Sequence, residues 1–359
     1  MARRLARVIA ADGPISIARY MDLCLHDPDF GYYSIRPRLG PDGDFITAPQ
    51  VSQIFGELLG LWACEVFSAL GRPSRVRLVE LGPGDGAMMV DVLRAASTAA
   101  PDFVDACEIV LLETSAPLKA LQARAVRESA RGAVWIERFE ELAGDAPIIL
   151  LANEFLDCLP VEQAVRTKVG WEGRRVGLDV LGRLHFTSSA REPINCADEC
   201  LRAPFGIVRE WSPAARELGA ALGALLADVT GAALFLDYGD EDSTTPGDTL
   251  QAVRAHSRED PLAHPGEADL TARVQFGPFL RAARAAGALT TSLLSQAEFL
   301  ERLGIEARAA TLQRSRPDRA AVIGRQVRRL IAPDQMGDLF KAVCVHSIGL
   351  APPGFESAV

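Results

Sequence analysis

The segment Val76-Arg-Leu-Val-Glu-Leu-Gly-Pro-Gly-Asp-Gly86 constrains the fold more than any other stretch of the chain. A short apolar run carrying one acid, Glu80, breaks into glycines at 82, 84 and 86, and a helix-like segment with Met88 and Met89 follows. That order reads as strand, tight turn, helix. Glycines let the backbone turn sharply and approach a ligand closely, and the new helix offers free N–H groups at the same point. Such a turn predicts a nucleotide-type cofactor.

Two acids narrow the cofactor class. The dinucleotide fingerprint is GxGxxG with an acid about 20 residues later. Here the spacing is GxGxG and the turn carries Asp85. A carboxylate beside a pyrophosphate would be repelled, whereas beside a sulfonium with an amino-acid tail it is tolerated or useful. The next apolar run, Glu108-Ile-Val-Leu-Leu-Glu-Thr114, places Glu113 where it can accept hydrogen bonds from both ribose hydroxyls. The pattern favours S-adenosylmethionine over NAD. The alternative is a purely structural turn, with Glu113 capping the following helix.

Alternating apolar runs and helix-like stretches predict a parallel sheet with helices on both faces. Strands are expected at 76–81, 108–113, 133–136, 147–153, 232–237, about 288–293 and 341–348. Before them stands an arm over 1–72, mainly helical. It has a Pro- and Gly-dense loop at 36–49 and an amphipathic helix from Gln50 to Leu70 that turns Ile54, Leu58, Leu61 and Val66 inward. Between about 160 and 210 the pattern changes to short antiparallel strands, an insertion beside the sheet. Ser212 is a candidate N-cap for the helix that follows.

A net charge of −9 and a pI of about 5.2 argue against nucleic acid as the main substrate. The seven cysteines (24, 64, 107, 158, 196, 200 and 344) are scattered and lack zinc-type spacing, so reduced thiols and no metal are expected. No apolar run is long enough to span a membrane. Lysine occurs only at 119, 168 and 341 among 38 basic residues, which suggests a GC-rich bacterial genome and a cytoplasmic protein. Nothing in the pattern points to an oligomeric state.

The polar residues Asn153, Glu154 and Asp157 follow the apolar run Ile148-Ile-Leu-Leu151, at the carboxyl end of the fourth strand, where open α/β sheets keep their sites. Two carboxylates there could grip a guanidinium in bidentate fashion and assist one of its nitrogens as a nucleophile. The alternative is a helix N-terminus stabilised by acids. Further on, Tyr238 ends the fifth strand, and a loop of about 35 residues, long enough to be functional, carries His256, His264 and Asp269. Tyr238, His256, His264 and Asp269 are candidates for the substrate mouth; each histidine has a hydrogen-bonded structural role as its alternative. In the arm, Phe45, Thr47 and Gln53 are candidates for a lid over the cofactor. The cofactor set expected is Glu80, Gly82, Gly84, Asp85, Gly86, Glu113, Thr114, Asn153 and Gln53.

Five stretches together (43–57, 80–86, 113–115, 153–157 and 266–271) resemble the MidA-like methyltransferases, whose mitochondrial members are complex I assembly factors. The resemblance runs from about Ile15 to the last strand. It implies a seven-stranded, Rossmann-like class I S-adenosylmethionine fold over 73–359. It also implies symmetric dimethylation of an arginine on the 49-kDa subunit of NADH:ubiquinone oxidoreductase, in the cytoplasm of a bacterium or the matrix of a mitochondrion. By the same resemblance Gly82, Gly84, Gly86 and Glu113 hold the cofactor, and Glu154 and Asp157 are the substrate acids. One position departs: the family's usual Val-Asp-Phe is Val274-Gln-Phe276 here, which would alter the target if that acid bound a basic substrate. Two rival readings are a small-molecule methyltransferase and a cofactor-binding assembly chaperone without catalysis.

Overall fold

A computed structural model describes residues 1–35, 40, 43–44, 46–127, 132–189, 204–241 and 247–355. The expected lid residue Phe45, and Cys196 and Cys200, lie outside the described residues.

The central sheet has seven main strands. They are β1 (Val76–Leu81), β2 (Cys107–Leu112), β3 (Ala133–Ile136), β4 (Ile148–Asn153), β5 (Gly231–Asp240), β6 (Leu289–Thr290) and β7 (Phe340–His346), in spatial order 3-2-1-4-5-7-6. β1 to β5 are parallel, and β7 runs antiparallel between β5 and β6. This is the class I methyltransferase sheet. The sixth strand differs from expectation. It is two short pieces, Leu289–Thr290 and Leu294–Ser295, both pairing with β7, because the polar residues Thr291 and Ser292 interrupt the run; Thr291 Oγ1 accepts from Cys344 N.

Every residue of β1 and β4 is buried, since helices cover both faces, and this explains the continuous apolar runs. On one face Leu78, Leu111, Ile149 and Leu234 pack beneath α3 (Gln53–Ala69) and α4 (Ala87–Ala99). On the other, Val79, Val110, Leu150 and Phe235 meet α6 (Pro213–Asp228) and α7 (Phe276–Ala285). α5 (Ala116–Arg127) follows β2. The α3–α4 contact is close enough that a Cβ on Gly60 would stand 2.6 Å from Val92 O. α3 is therefore buried on most of its circumference. Leu61, expected inward, is 37% exposed and shares a narrow outer stripe with Gln53 and Glu65.

The arm begins with α1 (Ala2–Asp12) and α2 (Ile17–His26), the latter capped by the Ser16 hydroxyl accepting from Arg19 N. Between them Ile15–Ser16 pairs antiparallel with Gly170–Leu178 of the insertion, joining a five-stranded sheet with strands 162–167, 184–189 and 208–211. The long segment after β5 is not bare loop: Gln251–Arg254, Ser257–Glu259 and Asp269–Thr271 form a small antiparallel sheet. Arm, insertion and this sheet share a second core in which Ile17, Tyr20 and Met21 meet Val176, Ala252 and Leu270. Among the described residues no helix is long and apolar enough to cross a membrane.

Candidate active site

The carboxyl ends of β1, β2, β4 and β5 open into one cleft of ≈ 660 Å³, roofed by the arm and walled by the 251–271 sheet. The glycine turn enters it from β1. Gly82, Gly84 and Gly86 have φ of 60°, 57° and 87°, conformations that side chains resist. A Cβ on Gly82 would lie 2.9 Å from the Phe155 ring. Asp85 is held on two sides, accepting from Ala87 N at 3.0 Å and from the Gln50 amide at 3.1 Å. Gly86 is the left-handed cap of α4 and stands behind the cleft, shaping the turn without lining it.

Glu113, just past β2, accepts from Ser115 N at 2.8 Å and from the Gln122 amide at 3.0 Å. The same amide donates to Gly84 O at 2.9 Å, while Gln122 Oε1 accepts from the Trp135 indole at 2.8 Å. The wholly buried Gln122 thus ties the glycine turn, the β2 acid and β3 together. Its position on α5 carries no local signal of this, since its partners come from three other elements.

Across the cleft, Glu154 has φ 51°, a conformation that costs a residue with a Cβ about 1–2 kcal/mol. It is held there because Glu154 N donates to Leu236 O at 2.9 Å and its carboxylate accepts from Ala48 N at 3.3 Å and from Asn153 Nδ2 at 3.2 Å. The turn that follows wraps around Asp237, which accepts from Leu156 N, Asp157 N and Tyr238 N at 2.8, 3.2 and 2.8 Å. Asp157 and Asp269 are each 4% exposed and face the same space as Glu154.

Seven carboxylates line the cleft (Asp22, Glu80, Asp85, Glu113, Glu154, Asp157 and Asp269), and no Lys or Arg does so among the described residues. Burial raises most of them. Glu154 is pushed up to about 8, by burial and then by Asp157. Asp269 goes up to about 7 for the same two reasons, and Asp157 up to about 6 by burial. Glu80 and Asp237 are held well above the usual carboxylate range by burial and then by neighbouring acids. Burial raises Glu113 against the pull of the Ser115 N–H and the Gln122 amide. Glu80 Oε2, Asn153 Oδ1 and Asp157 Oδ1 are buried acceptors without a hydrogen-bond partner among the described residues. Unpaired buried acceptors beside crowded acids call for a cationic, donor-rich occupant. A ligand with a sulfonium, an ammonium and ribose hydroxyls fits that donor set; a pyrophosphate does not.

Of the residues expected from the sequence, Glu80, Gly82, Gly84, Asp85, Glu113, Thr114, Asn153, Glu154, Asp157, Tyr238 and Asp269 line this cleft, as does the lid candidate Thr47. Gln53 does not. It is exposed on α3 and its amide donates to Glu57 Oε1 at 3.1 Å. The arm glutamine at the cleft is Gln50, whose Oε1 accepts from Thr47 N; the Thr47-x-x-Gln50 spacing of a capping box is the signal that marks it. His264 is also outside, its side chain 41% exposed, with Nδ1 3.0 Å from Glu259. His256 has its backbone N–H bonded to Asp44 O and takes no part in the lining. Gln275, the departure noted above, stands at the N-cap of α7, donates to Glu210 O and does not line the cleft. Tyr33, Cys158, Gln251 and Thr271 line the cleft without having been singled out. Among the described residues no three His, Cys, Asp or Glu side chains form a group that could hold a metal ion.

Comparison with known proteins agrees with this geometry. A family model described as "Putative S-adenosyl-L-methionine-dependent methyltransferase" matches residues 58–293. The chain is 33% identical to protein arginine methyltransferase NDUFAF7, mitochondrial, of Danio rerio, over 94% of this chain and 85% of that protein. It is 33% identical to the Homo sapiens protein of the same name, over 95% and 82%. A crystal structure of a Burkholderia thailandensis protein bound to S-adenosyl-homocysteine superposes with a TM-score of 0.85 at 30% identity, covering 100% of this chain and 93% of that one. Carrying this glycine turn, this acidic cleft and this sheet order, the chain belongs to the family of S-adenosyl-L-methionine-dependent methyltransferases that these matches define.

Proposed function

We propose that this chain methylates an arginine side chain of a protein, with Glu154 and Asp157 as the acids that receive the guanidinium. The observation carrying the reading is the charge of the cleft: seven lining carboxylates and, among the described residues, no lysine or arginine to balance them, while burial disfavours the charged form of the lining His26. S-adenosylmethionine supplies an electrophilic methyl group on a cationic sulfur and leaves as a thioether. The glycine turn with Asp85 would hold its amino-acid end, Glu113 and Thr114 its ribose, with Glu80 and Asn153 beneath. Arm residues of the 1–72 segment, Thr47 and Gln50, would close over it.

The acceptor half is Glu154, Asp157, Asp269 and Tyr238. Paired carboxylates take guanidinium N–H groups in parallel. They draw the cation's charge towards the bonded nitrogens, leaving the remaining nitrogen a better nucleophile. As that nitrogen gains its methyl group it gives up one proton, which moves to a Glu154 carboxylate oxygen; an acid poised near neutral pH suits this task. Fixed alignment can contribute roughly 7–11 kcal/mol to such a step.

The names of the relatives support a protein arginine as acceptor. The first candidate is the 49-kDa subunit of NADH:ubiquinone oxidoreductase, dimethylated symmetrically, as the resemblance implies. Mass spectrometry of that subunit after incubation with the protein and S-adenosylmethionine tests it. Two methyl groups on one arginine are expected, absent with Gly84→Val, whose branched side chain conflicts with φ 57°. No added mass from a preparation that still binds S-adenosylhomocysteine rejects this acceptor.

A further inference from the structure

Tyr33 belongs to neither half of the proposed site, yet it touches both. Its hydroxyl donates to Asp269 Oδ1 at 2.8 Å and lies 3.2 Å from Cys158 Sγ. Its carbonyl oxygen accepts from the Ser115 hydroxyl at 2.6 Å, and Ser115 N in turn donates to Glu113. A continuous path of hydrogen bonds therefore runs from the acid beside the ribose position, through the arm, to an acid of the acceptor half. The ring is clamped: His26 stacks on it with centroids 5.9 Å apart, and Tyr32 meets it edge-on at 5.1 Å. Tyr32 itself is anchored, its hydroxyl donating to Asp44 Oδ2 at 2.9 Å.

We propose that Tyr33 is a positioning residue for methyl transfer, which holds the Asp269 carboxylate towards the acceptor and locks it to the cofactor half of the cleft through Ser115. The inference rests on the reading that Asp269 helps receive the acceptor. Three features support it. Asp269 sits on a strand of only three residues, Asp269–Thr271, so its backbone alone is a weak scaffold. A carboxylate crowded by like charges, here Asp157 and Asp44, with Cys158 alongside, needs a donor to stay oriented and ionised. And burial keeps the Tyr33 phenol protonated, hence a donor, throughout the working range.

The test compares the full-length protein with Tyr33→Phe, Asp269→Asn and the double variant. Tyr33→Phe keeps the ring, its stacking and the backbone bond to Ser115, and removes the donor to Asp269 together with the contact to Cys158 Sγ. Transfer to the 49-kDa subunit should lose about tenfold in kcat/KM, the scale of one hydrogen bond to a charged group. Calorimetric binding of S-adenosylhomocysteine should change less than twofold. The ascending limb of kcat/KM against pH should move to higher pH, since Asp269 loses the donor that favours its ionised form. In the Asp269→Asn background, where only a neutral hydrogen bond remains to be lost, Tyr33→Phe should have a clearly smaller effect on kcat/KM and none on its pH limb.

A thermal-melting pH series reads the same carboxylate without any acceptor. The fall in stability with rising pH should extend further in Tyr33→Phe and lose Asp269's share in Asp269→Asn. An unmoved pH limb together with an unmoved melting series, or a cofactor Kd that weakens in step with kcat/KM, overturns the proposal. Wild-type turnover in Asp269→Asn would instead reject the acceptor site on which it rests.

Discussion

Replacing Asp269 by Asn should make the unliganded protein more stable at alkaline pH while disabling it. Asp269 is pushed from the usual 3.8 to about 7 by burial and by Asp157. A carboxyl raised in the folded state binds its proton more tightly there than in the unfolded chain. The fold is therefore free of the penalty below about pH 4, loses stability as pH rises towards 7, and carries the full cost above that. At ~1.4 kcal/mol per pH unit of separation, the penalty at pH 8 is roughly 4 kcal/mol. Asn stays neutral and can still accept from Tyr33 with its carbonyl, giving up about 1 kcal/mol of charge-assisted bonding. The net gain should be about 3 kcal/mol at pH 8 and less than about 1 kcal/mol at pH 5. Urea titration suits the measurement, because guanidinium would be a ligand for the very cleft under study. A rise in urea midpoint at pH 8 that is mostly gone at pH 5, with slopes unchanged, is the expected pattern. An equal shift at both pH values, or a less stable variant at pH 8, would refute the account of the cleft as a store of electrostatic repulsion.

The same acids set a pH profile. Since a guanidinium needs ionised partners, kcat/KM should climb from about pH 6 to about pH 8 as Asp157, Asp269 and Glu154 lose their protons, and a flat profile across that interval would exclude them from acceptor binding. Gln122→Met removes the amide shared by Glu113 and Gly84. Losing one bond to a charged acceptor at ~1.5–3 kcal/mol predicts S-adenosylhomocysteine binding weaker by about 10- to 100-fold in calorimetry. Trp135→Phe, which spares that amide, should leave the binding constant nearly unchanged; equal losses in the two variants would mean that the network supports the fold and not the cofactor.

How far the chain could be read varies with the origin of each partner. β1 and β4 were legible because both faces are covered, so every residue is apolar or specially placed. Glu113 and Glu154 were legible as cleft-lining residues because they follow strand ends of an open α/β sheet, where clefts form. The sixth strand misled because two short bridges to β7 make one blurred apolar stretch. Gln53 and Gln50 differ by a single turn of backbone, and only the packing of the arm on the glycine turn decides which one reaches Asp85. His264 resembled a mouth residue because the segment around it was read as loop; strand pairing at 251–259 sends it to Glu259 instead. Tyr33 and Gln122 gave no local signal, since each derives its meaning from elements distant in sequence.

The pairing of arm with late segments also sets a timetable for synthesis. Tyr20 donates to Pro261 O, Ala255 N to Asp44 Oδ1 and Tyr33 to Asp269. None of these contacts can form until the chain has grown to residue 255, and the last needs residue 269, more than 200 residues after α2 has been made. At about 5–20 residues per second that is a wait of roughly 10–45 s with the apolar side chains of α2 lacking their final partners. A ribosome-bound nascent chain of this protein should therefore hold its first 35 residues in a protease-sensitive, chaperone-accessible state long after β1 to β4 have been made.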